Sequence, residues 1–408
     1  MAKNRIDSLN NTWKNYIFVW ENLSVMKNKK FNSTISHVDM IYIDPPYNTK
    51  SDFSYDDKRD SKLWANFMKE RLEASKKLLY ESWVIFISID DNEYATLKIL
   101  CDNVFWKENF IWTFITQQSQ RSNSKLINIV HEYILCYAKD KRKVKEFKVK
   151  RTEIPWDKEM INDIIKKVKK TFTLHWKKEA LIQLNSLIKK YCLEKNITRL
   201  KNYNCIDDKW NIFFWKDLST PWKPRTVDIP EINLHLDPLE TRWRSSDRKF
   251  IQLYKDNRLS FKWNRPYEIH YLEESEDNVW SILNFYSRQW TNDLNKLWLR
   301  DLFDTPKPVE LIKFLIRIWM PKDWICLDFF AWSWTTAQAV YELNLEDWGS
   351  RNYVLIQLDE NVKWNSKVYS TCKKFWIKPL VSEILIYRIK IFLEKNFLND
   401  NNLDIINI

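Results

Sequence analysis

Glycine is almost absent from this 408-residue chain: there is one, Gly349. At the usual share of about 7%, a globular chain of this length would hold roughly 29. Only glycine enters the left-handed backbone region without steric cost, so tight turns made without it are hard to build. Tryptophan numbers 23, so glycine and tryptophan together make 24, close to the expected number of glycines. Several stand where turns are expected. Trp210 lies in Asp-Asp-Lys-Trp-Asn, Trp348 precedes Gly349, and Trp332 and Trp334 alternate with Ala331, Ser333 and Thr335. We read many of them as glycine, through UGA codons that mean glycine in the source organism but were translated as tryptophan. The alternative is a Trp-rich protein that turns without glycine.

Paired cysteines and long apolar runs are also missing. The six cysteines (Cys101, Cys136, Cys192, Cys205, Cys326 and Cys372) form no C-x-x-C pair and no metal-ligand spacing with the five histidines. They are expected as small buried hydrophobes in a reducing cytoplasm, and no metal is expected. The amino terminus has no apolar signal core and no long uncharged run follows, so neither secretion nor a membrane span is expected. What the chain does have is positive charge. A net charge of +12 and a pI near 9.1 favour a polyanionic partner, most often nucleic acid, over a merely basic housekeeping protein.

The length allows two or three domains. Up to residue 140, short β-branched or aromatic runs (Tyr16–Val19, Val38–Ile43, Val84–Ile89 and Tyr133–Ala138) predict buried strands. Between Ser61 and Leu79, Trp64, Phe67, Met68, Leu72, Ser75, Leu78 and Leu79 recur at helical spacing. This predicts an α/β fold with a mostly parallel, doubly wound sheet. The pattern weakens near Lys139, where eight basic residues fall within 139–151, among them Lys141, Arg142, Lys143 and Lys145. Residues 141–290 are expected as an inserted α+β domain. Strand and helix periodicity then resumes over 291–395, and 396–408 reads as a flexible tail. Asp304-Thr305-Pro306-Lys307-Pro308 predicts a helix start. Leu311, Ile312, Leu315, Ile316 and Trp319 follow on one face, with Lys313 and Arg317 opposite.

Ile-Tyr-Ile-Asp44-Pro45-Pro46-Tyr47-Asn48-Thr49 carries the strongest chemical signal. A strand ends in a carboxylate, two prolines fix the backbone, and an aromatic ring follows. In open α/β sheets such groups project into the crevice beyond the strand ends. A carboxylate and a proline carbonyl can both accept from one exocyclic amino group while Tyr47 stacks on its ring. A proline-rich strand exit with Asp44 as turn former is the weaker alternative. Asp328-Phe329-Phe330-Ala331-Trp332-Ser333-Trp334-Thr335-Thr336 is the second constellation. With glycine at 332 and 334 it becomes a glycine-rich strand-to-helix turn that a nucleoside can approach closely.

Together these segments resemble the DNA amino-methyltransferases, most closely the methylation (Mod) subunits of type III restriction–modification systems. The likeness spans nearly the whole chain. It includes Trp20-Glu21-Asn22-Leu23 (G-D-N-L in the family), the D-P-P-Y segment, His131-Glu132-Tyr133, Asp304–Pro308, Asp328–Thr336 and Asn352–Glu360. The order, with D-P-P-Y ahead of F-x-G-x-G, marks the β group. Family glycines fall opposite Trp20, Trp83, Trp332, Trp334 and Trp348, whereas Trp64, Trp243 and Trp280 match family tryptophans.

The resemblance implies a Rossmann-like sheet that binds S-adenosylmethionine, with the target-recognition domain inserted. It implies methyl transfer to the N6 of a flipped-out adenine in double-stranded DNA. Asp44, Pro45, Pro46 and Tyr47 would be catalytic. Glu21, Asp328, Phe330, Trp332, Trp334, Thr335, Asp359 and Glu360 would meet the cofactor, and Lys141, Arg142, Lys143 and Lys145 the DNA. Gln357 stands where related enzymes often carry glutamate. A second copy of the chain and a restriction (Res) helicase/nuclease subunit are the implied protein partners. An N4-cytosine enzyme, an RNA methyltransferase and a non-catalytic specificity protein are the alternatives, the last if Trp332 and Trp334 are real.

Overall fold

The computed structural model describes residues 14–49, 60–117, 126–195, 198–221, 225–238, 241–243, 245–262, 265–286, 289–303, 305–398 and 403–407. Asp304 and Asn399–Asn402 lie outside them. The chain divides into two compact units: Met1–Phe147 with Val279–Ile408, and Lys148–Asn278.

The first unit is built on one sheet. Its strands are β1 (Asn15–Val19), β2 (Val38–Ile43), β3 (Leu79–Ile89), β4 (Phe110–Gln117), β5 (His131–Ala138), β6 (Ile282–Tyr286), β7 (Ile325–Asp328), β8 (Asn352–Gln357) and β9 (Leu403–Asn407). Their order is β6-β4-β5-β3-β2-β7-β8-β1-β9. Every neighbouring pair is parallel except those made by β5, which runs antiparallel to β3 and β4. Strands β2 and β8 are buried at every position, which is why they read as near-continuous apolar runs. Asp39 in β2 is buried as well, and its carboxylate accepts from the Ile325 amide (2.7 Å), fixing the start of β7.

The chain leaves β2 toward β3 and leaves β7 toward β8, so connections diverge between two adjacent parallel strands. That divergence opens a crevice at their carboxyl ends, where Asp44 follows β2 and Asp328 ends β7. Helix α1 (Asn22–Lys27) follows β1, and α2 (Ser61–Leu78) precedes β3. Asp60 caps α2 by accepting from the Lys62 amide (2.9 Å), and Trp64, Met68, Leu72, Ser75 and Leu78 form its buried stripe. Helix α3 (Val309–Trp319) begins directly after Pro308 and buries the expected face. Lys313 is not on a solvated opposite face. It is 2% exposed, within 2.6 Å of Glu310, 3.2 Å of Glu342 and 2.6 Å of Glu346. Arg317 is likewise only 12% exposed and pairs with Glu346 at 2.6 Å. Carboxylates from α4 (Thr335–Asp347) turn this face of α3 into a buried ionic contact.

Two expected boundaries move. Residues 141–147 and 279–290 belong to the first unit, not the insertion. The end of the chain is not all tail, because α5 (Val381–Lys395) is followed by β9, which pairs with β1 along five residues. The second unit is α+β. Its long helical stretch Pro155–Lys195 breaks at Trp176, and the two arms pack Met160, Ile164 and Val168 against Ala180, Leu184 and Ile188. A four-stranded antiparallel sheet includes Ile212–Asp217 and Arg265–Tyr271. A smaller core gathers around the helix Asp247–Lys255. Among the described residues, no helix is long and apolar enough to cross a membrane.

Backbone geometry bears on the missing glycines. Among the described residues, eleven that are not glycine have positive φ, and seven are tryptophans: Trp106, Trp176, Trp210, Trp298, Trp334, Trp348 and Trp376. Left-handed backbone is mostly the province of glycine, asparagine and aspartate. Trp20, Trp83 and Trp332 are outside this set, and so are Trp64, Trp243 and Trp280. Trp348 and Trp376 are 92% and 95% exposed, so their rings contribute almost no packing. Trp348→Gly and Trp376→Gly should therefore each raise the unfolding free energy by roughly 0.5–1 kcal/mol in urea titrations, as relief of left-handed strain outweighs the entropy of glycine. The gene should carry UGA at all seven positions. UGG there, or a loss of stability in both variants, contradicts the glycine reading.

Candidate active site

The D-P-P-Y loop is held from behind. Trp64, fully buried on α2, donates its indole N–H to the Pro46 carbonyl (2.7 Å). Asn48 adopts φ 58° and donates to Glu93 Oε1 (2.7 Å), while Ser61 Oγ donates to Glu93 Oε2 (3.0 Å). Of the two proline carbonyls suggested by sequence, that of Pro46 is already committed to Trp64.

In front of this loop lies a buried ionic cluster. Lys307 Nζ is 3.0 Å from Asp44 Oδ1 and 3.3 Å from Glu132 Oε2 on β5. The Tyr47 hydroxyl donates to the same Glu132 oxygen at 3.5 Å, and Lys307 Nζ is 4.8 Å from the Tyr47 ring centre. Burial opposes the charge on Lys307, but Asp44 and Glu132 outweigh it and hold its pKa above the ordinary lysine value. Burial pushes the Glu132 carboxyl upward, with Lys307 partly offsetting it and Asp44 adding to it. The Tyr47 phenol is raised by burial and by the same carboxylates.

A second group surrounds the start of α1. Glu21 caps that helix, accepting from the Leu23 amide (3.0 Å) and the Ser24 amide (2.7 Å). Burial works against its ionisation, yet those amides and Arg71 hold the carboxyl below its usual range. Arg71, from α2, donates to Glu21 and to Asn22 Oδ1 (2.6 Å) and lies 3.5 Å over the Phe67 ring. Asn22 in turn donates to the Phe329 carbonyl (2.7 Å), so β1 and β7 exits are tied together. Asp328 accepts from the Phe330 amide (3.0 Å) and the Thr336 hydroxyl (2.6 Å). Burial is the main reason its carboxyl is raised to about 7.

Both groups open into one cavity of about 1200 Å³. Asp44, Pro45, Pro46, Tyr47, Glu21, Phe330, Trp332 and Glu360 line it, as do Asn22, Phe67, Arg71, Asp90, Glu132, Lys307 and Gln357. Asp328, Trp334, Thr335 and Asp359 do not. The expectation that two indoles obstruct the site is corrected by the geometry. Trp334 is fully buried, with its ring 5.9 Å from Tyr341 and 5.3 Å from Phe392, so of these two only Trp332 lines the cavity, as Trp290 also does. Thr335 shares a hydrogen bond with Ser333 (3.0 Å), and Asp359 accepts from Ser382. Arg388 on α5 braces the turn by donating to the Ser333 carbonyl and Gln338 Oε1. Sequence reasoning assigned no role to Arg71, Glu132 or Lys307. The last two lie in quoted motifs, and a charge flanked by prolines was the one signal available for Lys307.

The basic segment is less free than its composition suggests. Lys141 Nζ donates to the Phe110 carbonyl (2.8 Å), Arg142 pairs with Asp140 (2.9 Å), and Lys143 is 3.6 Å from Glu81. Arg142 nevertheless remains 89% exposed.

A sheet with diverging connections, and a ligand-sized cavity carrying D-P-P-Y at one strand end and an acid-and-aromatic wall at the next, define an α/β nucleotide-type binding protein. The family described as DNA methylase matches residues 38–367, and the chain belongs to that family. It is 29% identical over 409 residues to the Mod subunit of the type III restriction–modification enzyme EcoPI of Escherichia phage P1, covering 88% of this chain and 60% of that protein. The StyLTI Mod subunit of Salmonella typhimurium is also 29% identical, over 86% of this chain and 53% of its own. This chain thus spans little more than half the length of these relatives. The type II methyltransferase M.KpnI of Klebsiella pneumoniae is 27% identical over 94% of this chain and 88% of its own.

The raised carboxyl of Asp328 has a thermodynamic consequence. A folded pKa of about 7 against about 3.9 unfolded means that the folded state holds the proton more tightly. Its contribution is complete below pH 4 and is lost as pH rises toward 7. The stability difference between the parent and Asp328→Asn should therefore shrink across pH 4–7, with a slope of at most about 1.4 kcal/mol per pH unit. Urea titrations at several pH values measure it. A constant or growing difference means that Asp328 titrates as an ordinary carboxylate.

Proposed function

We propose that this chain transfers a methyl group from S-adenosylmethionine to the N6 amino group of an adenine in duplex DNA, as a Mod-like protein of a type III restriction–modification system. One observation carries the reading: Asp44 and Tyr47 share a single cavity with Glu21, Phe330 and Glu360. When bound, S-adenosylmethionine supplies an electrophilic methyl on a sulfonium, so catalysis is positioning and electrostatics. The residues present suit that cofactor. Glu21 is kept ionised next to aromatic surface from Phe67 and Phe330, and Glu360 offers a second acceptor beyond β8. Glu360 is the better ribose candidate, because it lines the cavity and Asp359 does not. Asp328 would act indirectly, by fixing the Phe330 amide.

The base has to leave the duplex, since its amino group is otherwise paired. The Asp44 carboxylate and the Pro45 carbonyl then accept the two amino hydrogens and aim the nitrogen lone pair, while Tyr47 stacks on the ring. Asp44 is also the acceptor for the proton that the nitrogen gives up. Lys141, Arg142, Lys143 and Lys145 would contribute phosphate contacts, and the second unit the base reading. A second copy and a Res subunit remain the proposed protein partners, in a cytoplasm whose reducing conditions suit six free cysteines. The aspartate of D-P-P-Y and the kinship with Mod subunits favour adenine over N4 of cytosine. Trp332 in the cavity favours a second reading, a DNA-binding specificity protein without catalysis, which holds if the gene reads UGG there.

Duplex DNA incubated with isotope-labelled S-adenosylmethionine and the Trp332→Gly protein should yield labelled N6-methyladenine on nucleoside mass spectrometry. Adding Asp44→Ala should reduce the label by roughly 100-fold or more, with cofactor and DNA affinity retained. Labelled N4-methylcytosine selects the cytosine reading. No label despite DNA binding selects the non-catalytic one, and near-normal turnover without Asp44 removes that residue from the mechanism.

A further inference from the structure

Lys307 has no part in the reading above, yet its ammonium occupies the place beside Asp44 where a base's amino group would sit. It is 3.0 Å from Asp44 Oδ1, 3.3 Å from Glu132 Oε2 and 4.8 Å from the centre of the Tyr47 ring. The lysine, Asp44 and Glu132 side chains are only 13%, 11% and 17% exposed. Pro306 and Pro308 flank the lysine and restrict its backbone, so the ammonium is presented from a stiff segment. A buried cation between two carboxylates is stable only while at least one of them stays with it, because a buried charge left without a partner is strongly destabilising.

We propose that Lys307 and Glu132 form a positioning pair: the ammonium holds the amino-group subsite of Asp44 in the free protein, and Glu132 retains it when a target base takes Asp44 over. The proposal rests on the methyl-transfer reading. Two carboxylates are what make such an exchange possible. With Asp44 alone, an entering base would have to break the only ion pair of a buried lysine. With Glu132 present, a neutral amino donor takes the place of the ammonium at Asp44 while the lysine keeps its second carboxylate, and the cluster keeps its charge. That charge, two carboxylates against one ammonium, is net negative, the sign that suits a cationic methyl donor. The other titratable groups facing the cluster are the Tyr42 and Tyr47 hydroxyls, Asp90 beyond β3 and Asp328 at the end of β7.

The full chain with Trp332→Gly is the parent for the test, compared with Glu132→Gln, Lys307→Met and the double variant. Entry of the base is read by 2-aminopurine fluorescence at the target position, and kcat and KM for DNA are measured across pH. In Glu132→Gln the ammonium is left with Asp44 alone, so KM for DNA should rise about tenfold or more and the 2-aminopurine signal should fall, with S-adenosylmethionine affinity unchanged. In Lys307→Met two carboxylates face each other without a cation, and the acid limb of kcat/KM should move about 1–3 units to higher pH. The double variant should bring that limb back, because only one carboxylate remains. Lower stability in all variants, with an unmoved acid limb and an unchanged KM, assigns the cluster a purely structural role and overturns the proposal. Should Lys307→Met fail to fold, the near-isosteric Glu132→Gln carries the test through KM and fluorescence. A parent that labels no nucleoside defeats the transfer reading itself, and this inference with it.

Discussion

Strands β2 and β7 lie side by side and point the same way, but the chain leaves them in opposite directions. In the gap that results, the ends of two strands meet without a connection crossing between them. The two acidic motifs of the first unit face each other across it. Asp44 and the prolines leave β2 on one side, and Asp328 and the two phenylalanines leave β7 on the other. Glu21 and Asn22 come from the end of β1, with Asn22 tied to the Phe329 carbonyl. Without that divergence these residues would be scattered along the chain.

The walls of the gap are fixed by hydrogen bonds that reach back into helices. Trp64 grips the Pro46 carbonyl, Arg71 joins Glu21 to Asn22, and Arg388 holds the turn at Ser333. Each tie uses a buried donor whose loss would leave a polar group without a partner, so the loops are pre-organised by the same contacts that stabilise the fold. Pre-organisation of this kind is what a reaction limited by positioning requires.

Much of this was legible in the sequence. Apolar runs ending in Asp44 and Asp328 announced both strand exits, and helical spacing from Trp64 onward announced the helix that braces one of them. What escaped had partners supplied from distant segments. Lys313 looked solvated because two of its three carboxylate partners, Glu342 and Glu346, sit on another helix. Lys307 looked like part of a helix start, since neither Asp44 nor Glu132 is near it in the chain. The last strand was hidden by the polar residues just before it. Trp334 looked like an obstruction because spacing along a turn does not say which way a side chain leaves it. Left-handed backbone explains part of that error: at φ 61° the indole is directed into the core beside Tyr341 and Phe392.

Trp332 is therefore the point on which the account turns, since of the two tryptophans in the strand-to-helix turn it is the one that places an indole in the cavity proposed for the cofactor. Calorimetric titration of S-adenosylmethionine into the protein as it stands and into Trp332→Gly tests this most directly. The account expects clear one-to-one binding to Trp332→Gly and affinity at least about tenfold weaker, a difference of about 1.4 kcal/mol, for the chain with tryptophan. Equal affinity, or none in either protein, would show that the cavity at the ends of β2 and β7 is not where the methyl donor binds.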